Sequence, residues 1–83
     1  MKTKVRNIPL SRLEWLYSKT QRQKLPASYF LLPEKRLFPF RNKDGTINCN
    51  MLRAAIVRAA QHGYKEVERK ARRLYQRYCK GHP

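Results

Sequence analysis

The chain has 83 residues, with 20 Lys and Arg against 5 Asp and Glu, for a formal net charge of +15. That length sets a single domain with one thin hydrophobic core and leaves little room for a deep catalytic cleft, while an apolar fraction of 41% is too high for a wholly disordered tail. Self-repulsion at this charge density opposes compaction, so a polyanionic partner is expected. Nucleic acid comes first, because neutralising its phosphates releases condensed counterions. No run approaches the ~18 apolar residues of a membrane span, and no apolar stretch follows the basic start as it would in a secretory signal. The two cysteines, Cys49 and Cys79, are too few for a disulfide scaffold, and a reducing, intracellular setting is expected.

The chain opens on a basic, polar stretch through Asn7 that reads as a mobile arm, with the folded domain expected from residue 11 onward. Ser11 and Glu14 have the spacing of a capping box, in which the hydroxyl and the carboxylate satisfy each other's backbone amides. Leu10 and Trp15 are placed as the accompanying hydrophobic staple. Leu13, Leu16, Tyr17 and Thr20 share a face at helical spacing, so a first helix is predicted from Arg12 to about Gln23. Pro26 bars its continuation.

Between Leu25 and Asn48 the apolar residues come in short runs broken by Pro26, Pro33 and Pro39. Extended segments are expected, with room for a short two-stranded pairing of Phe30–Leu32 with Leu37–Phe40. Asn42-Lys-Asp-Gly45 reads as a turn in which Gly45 adopts positive φ. Asn48 or Asn50 then caps a second helix running to about His62, closed by Gly63. Leu52, Ala55, Ile56, Ala59 and Ala60 form a wide apolar arc, extended by Val57 and Ala54, which is the pattern of a central helix. A third helix is predicted from Lys65 to about Cys79, with Val67, Ala71, Leu74, Tyr75 and Tyr78 on its apolar stripe. The expected fold is therefore mainly α: a small three-helix domain with a Pro-rich extended segment between the first two helices.

The third helix carries the candidate binding residues. Arg69, Arg73 and Arg77 form an i, i+4, i+8 row opposite the apolar stripe, with Lys70 and Lys80 beside it and Arg72 on the flank. Guanidinium forks match phosphate oxygens two at a time. Acidic residues that would neutralise such a face are scarce, since Glu66 and Glu68 both sit in the first turn, where they complement the helix dipole. The same carboxylates count against a helix-turn-helix reading, in which the start of the second helix approaches base edges. An ordinary helical hairpin that contacts phosphates with weak sequence preference is expected instead. Aromatic rings interleave with the basic residues, and Tyr17 and Tyr64, at helix edges, are the ones most open to stacking on unpaired bases.

Metal chemistry and catalysis find little support. Cys79-x-x-His82 is the one close pair of soft ligands, short of the paired spacing of zinc sites. The five carboxylates are scattered, and the three glycines stand alone, with no phosphate-cradling loop. No catalytic residue, metal or cofactor is expected, and no small-molecule substrate.

Leu25-Pro-Ala-Ser-Tyr-Phe-Leu-Leu-Pro33, Arg36-Leu-Phe-Pro39 and the alanine-rich Leu52–Gly63 segment ending Arg-Ala-Ala-Gln-His-Gly resemble a small domain associated with bacteriophages and prophages, found near head-maturation and capsid genes. In that family, too, an Arg-rich helix closes the domain. The likeness spans roughly Leu25 to Cys79 and departs from the pattern in the Lys-rich N-terminal extension and at Tyr29-Phe30, where one aromatic is usual. It carries no catalytic or binding residues over to this chain. It implies a phage or mobile-element setting, with the protein in a virion or the host cytoplasm. Three roles follow as expectations: a virion-internal or packaging accessory that binds DNA or RNA, a structural virion protein docking on an acidic capsid or tail subunit, and an inhibitor of a host defence nuclease.

Overall fold

A computed structural model describes residues 4–79. Its elements are α1 (Lys19–Gln23), β1 (Phe30–Leu32), β2 (Leu37–Pro39), α2 (Cys49–Gln61) and α3 (Lys65–Tyr78), with short 3-10 turns at Leu10–Arg12, Glu14–Tyr17 and Ala27–Tyr29. The architecture is mainly α, with one two-stranded antiparallel pairing between the first and second helices.

The second half follows its sequence signals closely. Asn48, and not Asn50, caps α2, its side chain accepting from the amides of Asn50 and Met51. Gly63, at φ +76°, turns the chain out of α2. Met51, Leu52, Ala55 and Ala59 are buried along α2, but Ala60 and Val57 face solvent, Val57 at 51% exposure, so the apolar arc is narrower than expected. Val67 and Ala71 bury the matching face of α3, with Leu74, Tyr75 and Tyr78 packed at its margin. Alanines at the contact let the helix axes approach closely.

A disulfide joins Cys49, at the start of α2, to Cys79, just past the end of α3, with Cα atoms 5.8 Å apart. The two cysteines, read as too few for a disulfide scaffold, are therefore bonded to each other. Because the opposite ends of the two helices are joined by the tight turn at Gly63, the helices run antiparallel, side by side. This is the hairpin anticipated from sequence, and it lacks the steep crossing of a helix-turn-helix.

The first helix is corrected most. In place of one helix over Arg12–Gln23 there are two 3-10 turns and a five-residue α1 capped by Ser18, whose hydroxyl accepts from the amide of Gln21 at 3.3 Å. The Ser11–Glu14 capping box does not form: the first turn has no side-chain cap. Leu13, at φ −109° and ψ 65°, breaks the run. The cause is burial. Leu13, Trp15 and Leu16 all pack with Met51 in one cluster, edged by Ile8, Leu10 and Leu25. In a regular helix, positions two apart point about 200° away from each other, so Leu13 and Trp15 reach the same cluster only if the helix is interrupted. Tyr17, assigned to the apolar face, is instead 67% exposed.

The Pro-rich segment forms the expected pairing, with Phe30 opposite Pro39 and Leu32 opposite Leu37. Leu31, Phe40 and Ile47 join the main core with α2 and α3. Gly45 takes φ +90° in the predicted turn, its amide donating to Asn42 O at 2.9 Å.

From Lys4 onward the stretch read as a mobile arm is docked. Ile47 bridges Val5 in parallel and Arg41 in antiparallel sense. Arg6 N donates to Ile47 O at 2.7 Å, and Ile47 N to Lys4 O at 2.9 Å. Asn7 Oδ1 accepts from the Cys49 amide at 2.8 Å. Ile47, fully buried, thus sits at the centre of a small three-chain backbone ladder that ties the N-terminal segment to the start of α2.

Candidate functional site

The apolar stripe of α3 is held against α2, and this fixes where the basic residues point. Arg69, Lys70, Arg72, Arg73 and Arg77 are all exposed. At about 1.5 Å rise per residue, Arg69, Arg73 and Arg77 succeed one another at about 6 Å intervals along one ridge. The disulfide anchors the far end of that ridge, because Cys79 follows Tyr78 directly. Lys80, also a sequence candidate, lies outside the described residues, as does His82.

Compensating charge is sparse. Among the described residues two ion pairs form: Arg6 with Asp44 at 3.0 Å, and Arg72 with Glu68 at 2.9 Å. Arg72 is therefore engaged one turn back along α3, its Nε also donating to Glu68 at 3.0 Å. Among the described residues, it is the one member of the predicted set with an acidic partner. Arg77 lies over the Tyr78 ring, 5.6 Å from its centroid, which orients its stem and leaves its guanidinium exposed. On the neighbouring face, Arg53 of α2 donates to the Tyr75 hydroxyl at 3.0 Å. That hydrogen bond raises the Arg53 pKa and so favours its charged form.

Of the two aromatics singled out for stacking, Tyr17 is free on the surface. Tyr64 is half-buried, with its ring edge-on to Phe38 and centroids 5.4 Å apart, so its role is packing.

A second cluster went unrecognised in the sequence. A cleft of about 300 Å³ opens between the 3-10 segment, β2 and α2. Leu16, Leu37, Phe38 and Met51 contribute apolar wall, while Arg22, Arg58 and His62 bring basic groups to it. Arg22 donates to the carbonyls of Leu16 and Arg36, yet its Nε is buried and unpartnered. Burial lowers the Arg22 pKa, and the charge of Arg58 adds to the shift. These residues come from three separate segments, and no spacing in the sequence connects them.

No group of three or more His, Cys, Asp or Glu side chains is placed to hold a metal ion among the described residues. No helix there is long and apolar enough to cross a membrane. Compared with family models, curated proteins and solved structures, the chain matches none.

Proposed function

We propose that the protein binds nucleic acid through its phosphates, using the exposed arginine ridge of α3. One observation carries this reading: Arg69, Arg73 and Arg77 stand in a row along one helix, exposed, and no carboxylate pairs with any of them among the described residues. Desolvating and ordering three arginines is favourable when an anionic polymer meets all of them at once, because each contact releases counterions from the polymer. The hairpin geometry, with Glu66 and Glu68 at the start of α3, favours backbone contacts over base readout. We further propose, from the resemblance of Leu25–Cys79 to phage-associated domains alone, a setting inside a virion or in nucleic-acid packaging.

The test is binding of fluorescein-labelled random duplex and single-stranded oligonucleotides, followed by anisotropy across a salt series. Binding that weakens steeply with salt and is lost in the R69E/R73E/R77E variant, with an unchanged circular dichroism spectrum, supports the reading. If the folded triple variant binds as the parent does, the ridge is not the interface. If neither binds, while an acidic virion subunit captures the parent and not the variant, the ridge serves protein docking instead.

A further inference from the structure

The ridge on α3 leaves the cleft on the other side of α2 unexplained, and three independent features of that cleft point the same way. Its volume, about 300 Å³, lies at the lower end of the range for small-molecule sites. Its wall is largely apolar, with Ala54 on α2 keeping it open where a larger side chain would fill it. Its charged groups are all basic, and no Asp or Glu lines it among the described residues.

Two further details show that the cleft is maintained at a cost. Arg58 is close enough to Arg22 to disfavour its charge, and the buried Arg22 Nε has a hydrogen still to donate. A buried donor without an acceptor is destabilising and calls for an explanation. Phe38, whose ring forms part of the wall, sits at φ +60°, in the left-handed region that side chains with a Cβ rarely occupy. Such strain persists where the surroundings enforce it, and it concentrates at ligand sites.

We infer that this cleft binds a small amphipathic anion, its apolar body seated against Leu16, Leu37, Phe38 and Met51 and its carboxylate or phosphate head held between Arg22 and Arg58. The head accepts from the guanidinium groups of Arg22 and Arg58 that line the cleft and offsets the repulsion that Arg58 exerts on Arg22. A cationic or uncharged amphiphile would offer the same apolar burial without either gain. This site is independent of the α3 ridge and stands whether or not the protein binds nucleic acid.

The test uses the full chain and four probes below their micellar concentrations: octanoate, octyl phosphate, octanol and octyltrimethylammonium. Titrations are followed by amide chemical shifts and calorimetry. Octanoate and octyl phosphate should bind with shifts concentrated at residues 10–22, 37–39 and 54–64, and their ratio tells a carboxylate site from a phosphate site. Octanol should bind at least about tenfold more weakly, and the cation not at all, a difference equivalent to one charge-assisted hydrogen bond.

Because any anion is drawn to a chain of this charge, the variants decide locality. R58Q, at an exposed position, should weaken both anions about tenfold and leave octanol unchanged. A54L should block all probes by filling the cleft, with its fold checked by circular dichroism. R69Q/R73Q should bind octanoate as the parent does. Equal binding of all four probes, or anion binding that survives R58Q and A54L but falls with R69Q/R73Q, overturns the proposal.

Discussion

Asn48 Nδ2 donates to Asn42 Oδ1 at 2.9 Å, and both side chains are buried. The same Asn48 amide donates to Ile8 O at 2.9 Å, while its Oδ1 caps α2. Asn42 in turn donates to Arg6 O at 2.8 Å and to Thr46 Oγ1 at 2.7 Å. Two adjacent buried amides thereby fasten the N-terminal segment, the 42–46 turn and the start of α2 to one another. Replacing Asn48 with Ala removes the cap, worth about 1 kcal/mol, and strands buried partners at about 1–3 kcal/mol. N48A should lose about 2–4 kcal/mol in urea denaturation. N48D keeps the capping oxygen but loses the donors to Ile8 and Asn42, so it should be at least as destabilised. An N48D protein as stable as the parent would show that only the cap matters.

The Cys49–Cys79 bond closes a loop across a sequence separation of 30. In the chain-entropy account, a loop of that size restrains the unfolded chain by about 3–4 kcal/mol. For a domain this small, the loss on reduction should appear as a fall in melting temperature of roughly 10 °C or more. The measurement is a thermal melt with and without dithiothreitol. The parent should respond, and a C49S/C79S variant should melt at the reduced temperature in both conditions. A parent indifferent to reductant would mean that the α2–α3 packing alone carries the hairpin.

What the sequence revealed divides by range. The Asn48 cap, the stop at Gly63, the turn at Gly45 and the β1–β2 pairing all rest on a few neighbouring residues, and all appear in the structure. The 12–23 helix failed because Leu13, Trp15 and Leu16 needed one common cluster, a tertiary demand that outweighed local helical spacing. The disulfide was missed for a different reason: the expected hairpin already set Cys49 at the start of one helix beside Cys79 at the end of the next, but two cysteines were read as too few to bond. The docking of Lys4–Asn7 depends on backbone pairing with Ile47, which no side-chain pattern records. The arginine ridge was legible, since the stripe opposite it dictates its exposure. The Arg22–Arg58 cleft was not, because its walls meet only after folding.

Asp44 gives the turn a pH dependence. Its carboxylate accepts from the Thr46 hydroxyl at 2.6 Å and the Thr46 amide at 3.0 Å, and pairs with Arg6. The Thr46 hydroxyl is the largest influence lowering its pKa below the ordinary 3.8, followed by the Thr46 amide, with Arg6 adding less. Because the folded-state value lies below the unfolded one, Asp44 stabilises fully above the unfolded pKa, and that gain disappears as pH falls through the folded value. The site is exposed, so the gain should stay below about 1 kcal/mol. The stability difference between the parent and D44N should be flat from pH 5 to 8, decline as pH falls below about 4, and vanish only below the folded-state value. A difference that persisted into strong acid would contradict this assignment.

If three ridge arginines each neutralise one phosphate, the salt dependence of binding should record them individually. Each contact contributes about 0.9 to the slope of log affinity against log salt on duplex DNA, and about 0.7 on a single strand. R69Q, R73Q and R77Q should each flatten the slope by about that amount and weaken all sequences alike. R72Q should change it less, because Arg72 already pairs with Glu68. A uniform effect of all four substitutions would point to diffuse attraction by net charge instead of a ridge.

Phe38 occupies a strand with φ +60°. Its ring stacks edge-on against Tyr64 and walls the cleft, so truncation costs packing in any variant. What separates the variants is the backbone. Alanine retains a Cβ in the left-handed region, at a cost of about 1–2 kcal/mol, whereas glycine adopts that region freely. Within an ordinary strand or helix, glycine is the less stable of the two by about 0.5–1 kcal/mol. Here the order should invert: F38G should unfold at higher urea than F38A, with both below the parent. That inversion isolates the backbone strain from the lost ring, since both variants lack the ring equally. The usual order, with F38A the more stable, would mean that the surroundings do not hold residue 38 in the left-handed region once its side chain is gone.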